Sequence, residues 1–393
     1  MADLSTTLPL TRDSVIQAHA LIKPLIHHTP VLANRTLSTL ASTPRSEADL
    51  ASTKWEGRAP ARPRMRLWFK CENLQRIGAF KARGAFHAVE RLKAEPGWVE
   101  AGGKEKGVVT HSSGNHAQAL ALAARESGIK AHIVMPEISV PQKIAATRGY
   151  GANVVFSGST SVEREAVAAK VIAHTGARLV PPYDHPDIML GQGTMGLEMQ
   201  AQVRDLIADE GAHSFRAAST VLPPGRQEGG GEQKGLDAII TPCGGGGMLS
   251  GVALSCEGTG IRVFGAEPSF QGADDGRRGY ESGERVQQVS SLTIADGLRT
   301  PVGEHPWKVI YERRLVAGFY SVTEEQIKEA MRLVLERFKM VVEPSGCVGL
   351  AVALFDEDFR GLVEREGGEE GWDLGIVFSG GNVGVDRIGA LFS

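Results

Sequence analysis

Short apolar segments alternate with helical segments at regular intervals between residues 107 and 180. Strands are predicted at residues 107–110, 131–135, 153–156 and 177–180. Helices are predicted between them at residues 115–126, 142–148 and 162–174. Strands and helices of these lengths in alternation build right-handed β-α-β units around a parallel sheet. The pattern therefore favours the α/β class.

A second alternating series follows later in the chain. Its strands are predicted at residues 237–241, 263–266 and 374–378, and its helices at residues 248–256, 324–338 and 346–355. We expect two parallel-sheet, three-layer domains with a ligand in the cleft between them, because such sheets bind ligands at the carboxyl ends of their strands. Residues 1–84 and 188–393 would form the larger domain, and residues 85–187 the smaller one.

Two stretches interrupt these patterns and are predicted to be surface insertions. The first covers residues 42–65, and the second, residues 213–235, contains Pro223-Pro224-Gly225 and three consecutive glycines from Gly229. Neither has periodic apolar positions, so both are predicted to be loops or disordered segments.

Charge and cysteine content exclude several classes of protein. The 393 residues carry 43 Lys and Arg against 46 Asp and Glu, a net charge of −3. This balance gives no attraction to nucleic acid or to an anionic membrane. No apolar run has the length of a membrane span, the first 15 residues lack a signal-peptide core, and the four cysteines form no Cys-x-x-Cys pair. We expect a soluble cytoplasmic protein.

Four consecutive glycines, residues 244–247, lie between a predicted strand and a predicted helix that starts near Met248. Backbone N–H groups of such a run can converge on an anion, and the helix N-terminus adds partial positive charge. This favours a phosphate site over a plain tight turn. The spacing is not that of a dinucleotide fingerprint. That spacing does occur at Gly191, Gly193 and Gly196, but it follows a loop rather than a strand, so helix packing is predicted there.

Several polar segments are ambiguous on spacing alone. Lys81 is flanked by Gly78 to Phe80 and by Ala82. On spacing alone, a surface charge is the favoured interpretation. The alternative is a desolvated amine with a lowered pKa that attacks a carbonyl group. Residues 112–118 and 379–382 each follow a strand, where Ser and Asn serve equally well as helix caps or as ligand contacts.

Acidic and histidine residues suggest few metal sites. Two groups lack a spacing that converges on one ion: Asp184, His185 and Asp187, and the adjacent pair His27 and His28. They are predicted to be surface polar residues. Glu267 with Asp274-Asp275 is a better candidate for Mg²⁺ or Ca²⁺, which prefer oxygen ligands.

Taken together, these segments resemble the tryptophan-synthase-β superfamily of fold-type II pyridoxal-phosphate enzymes, and within it serine racemase and the serine/threonine dehydratases. The matching segments, in chain order, are residues 70–85, 112–119, 191–194, 244–249, 266–269, 293–297, 343–344 and 379–383. The resemblance extends from about residue 28 to residue 383.

The resemblance assigns the catalytic roles to two residues. Lys81 would hold pyridoxal 5'-phosphate covalently and act as the base on one face of the substrate. Ser113 would be the second acid/base, on the opposite face. Two proton donors on opposite faces are what inversion at Cα requires.

The resemblance also implies a cofactor site drawn from several segments. Asn115 would hydrogen-bond the phenolic oxygen, and Ser379 would meet the pyridine nitrogen. The phosphate would bind to Gly244, Gly245, Gly246, Gly247 and Met248. The other cofactor-binding residues implied are Phe80, Gly297 and Glu343.

A divalent cation, Mg²⁺ or Ca²⁺, would be bound by Glu267, the carbonyl group of Ala273 and Asp275, as in the serine racemase branch. This chain is two residues longer between Glu267 and Asp275 than its relatives. It also has Ile77 where relatives usually have Ser or Thr, which bears on local substrate or nucleotide contacts. A homodimer is implied by the resemblance, whereas activation by ATP is left open.

The expected activity is removal of the Cα proton from serine or a similar β-hydroxy amino acid. The product would then arise by racemisation, or by β-elimination to a 2-oxo acid and ammonia. Three alternatives stay open: β-replacement of the cysteine synthase type, a cofactor-binding protein without catalysis, and, least favoured, a nucleotide-dependent dehydrogenase.

Overall fold

The computed structural model describes residues 4–112, 114–139, 141–212 and 235–393, and its strands form two β-sheets. The strands are β1 (Val31–Ala33), β2 (Met65–Cys71), β3 (Val108–His111), β4 (Ala131–Pro136), β5 (Asn153–Ser157), β6 (Arg178–Leu179), β7 (Ala238–Pro242), β8 (Arg262–Pro268), β9 (Gly318–Val322) and β10 (Trp372–Phe378). The six-stranded sheet has the order β1-β2-β10-β7-β8-β9, and the four-stranded sheet has the order β5-β4-β3-β6. All neighbouring strands are parallel except β1, which pairs antiparallel with β2.

Helices cover both sheets. They are α1 (Arg12–Ile22), α2 (Arg35–Ser42), α3 (Glu47–Leu50), α4 (Lys81–Lys93), α5 (Gly103–Lys106), α6 (Asn115–Glu126), α7 (Pro141–Gly149), α8 (Ser161–Thr175), α9 (Pro186–Ala212), α10 (Gly247–Cys256), α11 (Asp275–Ser282), α12 (Glu304–Trp307), α13 (Glu324–Leu333), α14 (Pro344–Phe355), α15 (Glu357–Gly367) and α16 (Val385–Phe392). Local sequence sets many of their ends. For example, the Thr160 hydroxyl accepts from the Glu163 N–H at 3.2 Å before α8, which ends at Gly176 with φ +73°.

The large sheet is buried on both faces, which gives the expected three layers. Along β10, Leu374 and Ile376 pack into a core that includes α13 and α14, whereas Val377 points to the opposite core with α9 and α10. This alternation follows from the two-residue repeat of a strand. The predicted fold class is confirmed.

Helix α9 connects the two halves of the molecule. It contributes Ile188 to the core of the smaller sheet and Met195 and Met199 to a core of the larger sheet. The domain limits predicted at residues 84/85 and 187/188 fall inside α4 and α9, and they stay a prediction.

The strands and helices of the two predicted series are present, whereas β1, β2 and β9 were not predicted. Strand β2 has the sequence MRLWFKC, in which Arg66 and Lys70 interrupt the apolar run. The predicted helix at residues 324–338 starts as α13 and finishes as a π-helical turn, Val334–Phe338.

The prediction of a loop or disorder at residues 42–65 is wrong in part, because the segment is partly helical and packs onto the rest of the chain. It contains α3, and Leu50 and Trp55 are buried. The guanidinium of Arg360 donates to the Thr43 carbonyl oxygen at 2.7 Å and so ties the segment to α15. The second predicted insertion, residues 213–235, lies outside the described residues except for Gly235.

The glycines with dinucleotide-like spacing are helix-packing residues, as predicted. Gly191, Gly193 and Gly196 lie in α9. A Cβ added to Gly191 would lie 2.7 Å from the Gly84 Cα in α4, and one added to Gly193 would overlap the backbone of Gly251 in α10. Small residues are therefore needed where α9 meets its neighbours.

No helix in the described residues is long and apolar enough to cross a membrane. The four cysteines are buried and free. Burial raises the pKa of the Cys71 thiol to about 12, which keeps it in the unreactive protonated form.

A buried ion network joins β2, α4 and α9. Arg83 Nε donates to Glu72 Oε2 at 2.7 Å, and Arg83 Nη2 and Lys70 Nζ both donate to Glu198 Oε2 at 2.7 Å. All four side chains are essentially inaccessible to solvent. Burial alone would raise the pKa of Glu198, but its bonds to His19 and Arg83 outweigh burial and lower it. The network therefore holds two cations and two anions in balance.

The substitution Glu198→Gln tests this network. It leaves Lys70 and Arg83 with one buried carboxylate between them, so we expect the free energy of unfolding to fall by about 3–5 kcal/mol. Urea denaturation monitored by circular dichroism measures the change. Glu329→Gln, which removes an exposed partner of Arg332, is the control and should change stability by under about 1 kcal/mol. An equal effect of both substitutions would contradict the prediction.

Candidate active site

The segments predicted to form the site meet where strands of the larger sheet end. The chain after β2 pairs with the chain after β10: Ala79 forms an antiparallel bridge with Gly380, and the Phe80 N–H donates to the Ser379 carbonyl oxygen at 3.0 Å. This pairing places the start of α4, and therefore Lys81, next to buried Ser379. The structure thus brings together residues nearly 300 positions apart in the chain.

Lys81 is the first residue of α4, and its amine is removed from water. Lys81 Nζ donates to the Pro182 carbonyl oxygen at 2.7 Å and lies 5.1 Å from the centre of the Phe80 ring. Burial lowers the pKa of Lys81 to about 8. The fraction of this amine that is neutral and nucleophilic near neutral pH is therefore much larger than that of an ordinary surface lysine. The favoured surface interpretation of Lys81 is wrong.

His116 supports the same segment and was not predicted as a site residue. Its Nε2 donates to the Val180 carbonyl oxygen at 3.1 Å, two residues before the carbonyl group that accepts from Lys81. Burial, and next the charge of Lys81, lower the pKa of His116 to about 3, so the ring is neutral. The only sequence signal for His116 is its place directly after Asn115 at the start of α6.

The four-glycine run is a set of unpaired donors at the start of α10. All four glycines are buried. In the described part of the chain, no acceptor forms a hydrogen bond with the N–H groups of residues 244–247. The first turn of a helix provides no acceptors of its own. Four buried N–H groups at a helix N-terminus fit a phosphate.

Close neighbours explain why this run needs glycine. A Cβ on Gly244 would lie 3.0 Å from the Gly297 carbonyl oxygen, and one on Gly245 would overlap the ring of Tyr183. Gly246 has φ +82°, a conformation that other residues rarely adopt. The structure therefore brings Gly297, and the unpredicted Tyr183, against the run.

Asn115, Glu343 and Asn382 form a chain of hydrogen bonds. Asn115 Nδ2 donates to Glu343 Oε1 at 3.0 Å, and Asn382 Nδ2 donates to Asn115 Oδ1 at 2.8 Å. Burial, and next the charge of Asp296, raise the pKa of Glu343 to about 7. Glu343 is therefore poised to exchange a proton near neutral pH. Asn382 was part of a noted motif but was not predicted as a site residue.

Ile77 has a left-handed backbone, with φ +58°, which is rare for a β-branched residue. Its carbonyl oxygen accepts from Asn382 Nδ2 at 2.8 Å, and the next carbonyl oxygen, of Gly78, accepts from the Gly381 N–H at 2.9 Å. The C-terminal loop thus holds this turn through backbone groups. These contacts do not supply the hydroxyl group that a Ser or Thr at position 77 would provide.

Ser113 lies outside the described residues. Its neighbours place the segment between β3 and α6, where the Gly114 N–H donates to Ser112 Oγ at 3.3 Å. The predicted role of Ser113 stays a prediction.

Glu267 and Asp275 form a separate pair of buried carboxyl groups. Glu267 accepts from the Gly276 and Arg277 N–H groups at 2.9 and 2.8 Å, and Asp275 Oδ2 accepts from the Val302 N–H at 3.0 Å. Burial, and next the charge of Asp275, raise the pKa of Glu267 well above its usual range. Burial raises the pKa of Asp275 to about 6.

A tight turn lies between Glu267 and Asp275. Gln271 and Gly272 there have φ values of +51° and +74°. Asp275 Oδ1 has no hydrogen-bond partner within the described residues, so one oxygen of the pair is available. Among these residues, no three His, Cys, Asp or Glu side chains converge as a metal site.

The prediction that His185 and Asp187 are surface residues is wrong, whereas His27 and His28 are exposed as predicted. The His185 and Asp187 side chains are buried where the segment after β6 enters α9, whereas Asp184 is partly exposed. Asp184 in this segment accepts from the Glu304 and His305 N–H groups at 3.0 and 2.9 Å at the start of α12.

These residues fit the cofactor that the sequence resemblance implies. The four-glycine run offers unpaired donors for a phosphate, and Lys81 offers an amine with a lowered pKa. Ser379 and the Asn115 amide contribute neutral polar groups around the same position. The donor set therefore suits a phosphorylated aldehyde.

The lowered pKa of Lys81 can be measured directly in cofactor-free protein. Because only the neutral amine reacts, pulse acetylation of Lys81 with acetic anhydride should reach half its maximum near pH 8. Peptide mass spectrometry quantifies the label against other lysines of the same sample. A midpoint near pH 10 would contradict the inferred desolvation.

Glu343→Gln tests the raised pKa of that carboxyl group. In the wild-type protein, the Glu343 carboxyl group contributes stability that is fully present below pH 4.5. This contribution is lost as the pH rises through 7, because the folded protein disfavours the carboxylate form. The glutamine side chain of the variant does not ionise, so the stability of the variant does not fall for this reason. Its stability relative to wild type should therefore increase from pH 5 to pH 8, by up to about 3 kcal/mol. Urea unfolding at both pH values measures this, and a constant difference would contradict it.

Comparisons with known proteins agree with this geometry. A family model described as "Pyridoxal-phosphate dependent enzyme" matches residues 56–367. A serine racemase of Arabidopsis thaliana is 38% identical over 377 residues, covering 95% of this chain and 94% of that protein. An L-threo-3-hydroxyaspartate ammonia-lyase of Saccharomyces cerevisiae is 35% identical, covering 98% of this chain and 96% of that protein.

Solved structures give the same result. The crystal structure of serine racemase from Dictyostelium discoideum has a TM-score of 0.73 and 37% identity, covering 95% of this chain and 99% of that one. The structure of maize serine racemase has a TM-score of 0.76 and 34% identity, covering 100% and 97% of the two chains. The match spans both sheets and the site between them, and this chain belongs to the family of pyridoxal-phosphate-dependent enzymes.

Proposed function

We propose that this enzyme removes the Cα proton of serine or a similar β-hydroxy amino acid and then either racemises the substrate or eliminates its β-hydroxyl group. The observation that carries the proposal is the desolvated Lys81 amine beside a buried run of unpaired N–H donors. The names of the relatives, serine racemase and L-threo-3-hydroxyaspartate ammonia-lyase, support this substrate class.

The proposed cofactor contacts follow from the donors at each position. The four-glycine run and Met248 would hold the phosphate, and Lys81, next to Phe80, would hold the aldehyde carbon. Asn115, Gly297, Glu343 and Ser379 would contact the rest of the cofactor. Bound pyridoxal phosphate supplies the electron-withdrawing group that stabilises negative charge at Cα. Ser379 offers the ring nitrogen a neutral hydroxyl group rather than a carboxylate, so it does not favour a proton there.

The proposed proton transfers use groups on both faces of the substrate. The Lys81 amine, freed when the amino group of the substrate takes its place on the cofactor, would take the Cα proton on one face. For racemisation, the Ser113 hydroxyl donates a proton to Cα on the other face. For elimination, the bond from Cβ to oxygen breaks, and the oxygen leaves with the electron pair and takes up a proton as water. The released enamine adds water and yields the 2-oxo acid and ammonia.

We also propose that Glu267, Asp275 and the Ala273 carbonyl group hold Mg²⁺ or Ca²⁺. Two buried carboxyl groups with raised pKa values support this proposal, since the charge of Asp275 helps to raise the pKa of Glu267, Asp275 has an unpaired oxygen, and a cation would replace the bound protons. A homodimer and activation by ATP are carried over as proposals from the sequence resemblance. Light scattering tests the first, and assays with and without ATP test the second.

The proposed activity is tested on purified holoenzyme with L-serine. We expect an absorbance band of the bound cofactor that is lost in Lys81→Ala. We also expect pyruvate, D-serine or both as products. Ser113→Ala should retain the band and lower D-serine formation by about 10²–10⁴-fold, the usual contribution of a positioned acid/base.

Ser112→Ala is the matched control, since it removes the neighbouring hydroxyl group and should leave racemisation within a few-fold of wild type. Absence of the cofactor band would overturn the cofactor assignment. A band without turnover of serine, threonine or 3-hydroxyaspartate would overturn the substrate class and favour β-replacement.

A further inference from the structure

A second polar cleft lies behind the segment that joins β6 to α9. The cleft is small and open to solvent on one side. Its lining comes from the N-terminal segment, α4, β6 and the start of α9. The polar lining residues are Thr6, Arg91, Glu95, Arg178, His185 and Asp187. None of these residues belongs to the proposed catalytic or cofactor site.

Three buried polar atoms in this lining have no hydrogen-bond partner within the described residues: Arg91 Nε, His185 Nε2 and Asp187 Oδ1. His185 is 6% and Asp187 8% exposed. Arg91 Nε lies 3.7 Å from Asp187 Oδ1, which is too far for a hydrogen bond. Each unpaired buried polar atom costs about 1–3 kcal/mol, so three around one cleft favour a polar ligand there, although Arg91 and Asp187 also attract each other as an ion pair.

The protonation of these groups defines what the ligand offers. His185 Nδ1 accepts from the Asp187 N–H at 3.2 Å, so the neutral ring carries its hydrogen on Nε2. Burial lowers the pKa of His185 to about 4 and keeps the ring neutral. Burial raises the pKa of Asp187 to about 6, so it is mostly ionised at pH 7.5. The free groups are therefore two N–H donors and one carboxylate oxygen.

Charge in the cleft is balanced, which excludes a simple anion or cation site. Arg178 is paired with Glu95 at 2.7 and 3.1 Å, and Arg91 stands opposite Asp187. Two donors match the two oxygens of a carboxylate, and the carboxylate oxygen of Asp187 matches an ammonium group. We propose that this cleft is a second binding site for a small free α-amino acid, held by its carboxylate on Arg91 and His185 and by its ammonium group on Asp187.

The position of the cleft connects it to Lys81. Val180 and Pro181 line the cleft, and the next carbonyl group, of Pro182, accepts from Lys81 Nζ at 2.7 Å. A ligand that presses on this segment shifts the acceptor of the catalytic amine. The site is therefore an effector site, and its occupant changes the catalytic rate.

Calorimetry on borohydride-reduced holoenzyme tests the binding site, because reduction fixes the cofactor to Lys81 and prevents reaction there. The probes are glycine, L-alanine and L-serine, with acetate and ethylamine as half-ligands. We expect one site per chain, with the amino acids binding at least ten-fold more tightly than either half-ligand. Asp187→Asn should weaken amino-acid binding at least ten-fold, and so should Arg91→Gln.

Glu90→Gln, on the same helix but outside the lining, is the matched control and should bind like wild type. Unchanged thermal unfolding of the Asp187→Asn protein excludes misfolding as the cause. Absence of saturable binding would mean that the cleft holds ordered water only, and it overturns the proposal. Binding of acetate as tightly as the amino acids also overturns it. If no cofactor band forms, the proposed function is overturned instead. The same titrations on unreduced protein then still test whether an amino acid binds in the cleft.

The effector role is tested on unreduced enzyme, with the turnover of L-serine measured with and without glycine. A change of two-fold or more in kcat that disappears in Asp187→Asn supports it. A purely competitive change in KM that persists in Asp187→Asn places the effect at the catalytic site and overturns the effector role.

Discussion

The buried ion network around Arg83 is the interaction on which the rest of the structure depends. Arg83 lies two residues after Lys81 on α4, and its partners Glu72 and Glu198 lie after β2 and on α9. Two cations and two anions satisfy one another there without water, so the start of α4 has a fixed position relative to both sheets. The ion network therefore positions the Lys81 amine from several ångströms away. The groups of the site do not have to pair with one another to hold this position.

The site works by holding titratable groups away from water. Burial moves the pKa of Lys81 down to about 8 and that of Glu343 up to about 7, so both change charge within the physiological range. The two groups enter from different segments, and neither forms an ion pair with the other in the described contacts. Glu343 therefore holds a proton beside Asn115 up to near neutral pH, whereas the proton transfers at Cα are proposed for Lys81 and Ser113.

Sequence alone could predict what depends on local order. Alternating strands and helices, the four-glycine run and the helix-packing glycines of α9 follow from periodicity and spacing, and they agree with the structure. The contacts of Tyr183, His116 and Asn382 could not be predicted, because each depends on a segment far away in the chain. The same is true of His185 and Asp187, which are buried where the chain enters α9. The environment of Lys81 is ambiguous on spacing alone, since its small and apolar neighbours allow a surface charge or a desolvated amine, and the family resemblance favours the amine.

The unpaired N–H groups of the four-glycine run have a consequence for the life of the protein before it acquires its cofactor. Buried donors without acceptors destabilise a fold, and phosphate binding removes that penalty. The empty protein must therefore open locally more often than the loaded one, and proteases in the cell act on such openings. Cofactor binding would then affect the lifetime of the folded enzyme, in addition to the fraction that is active.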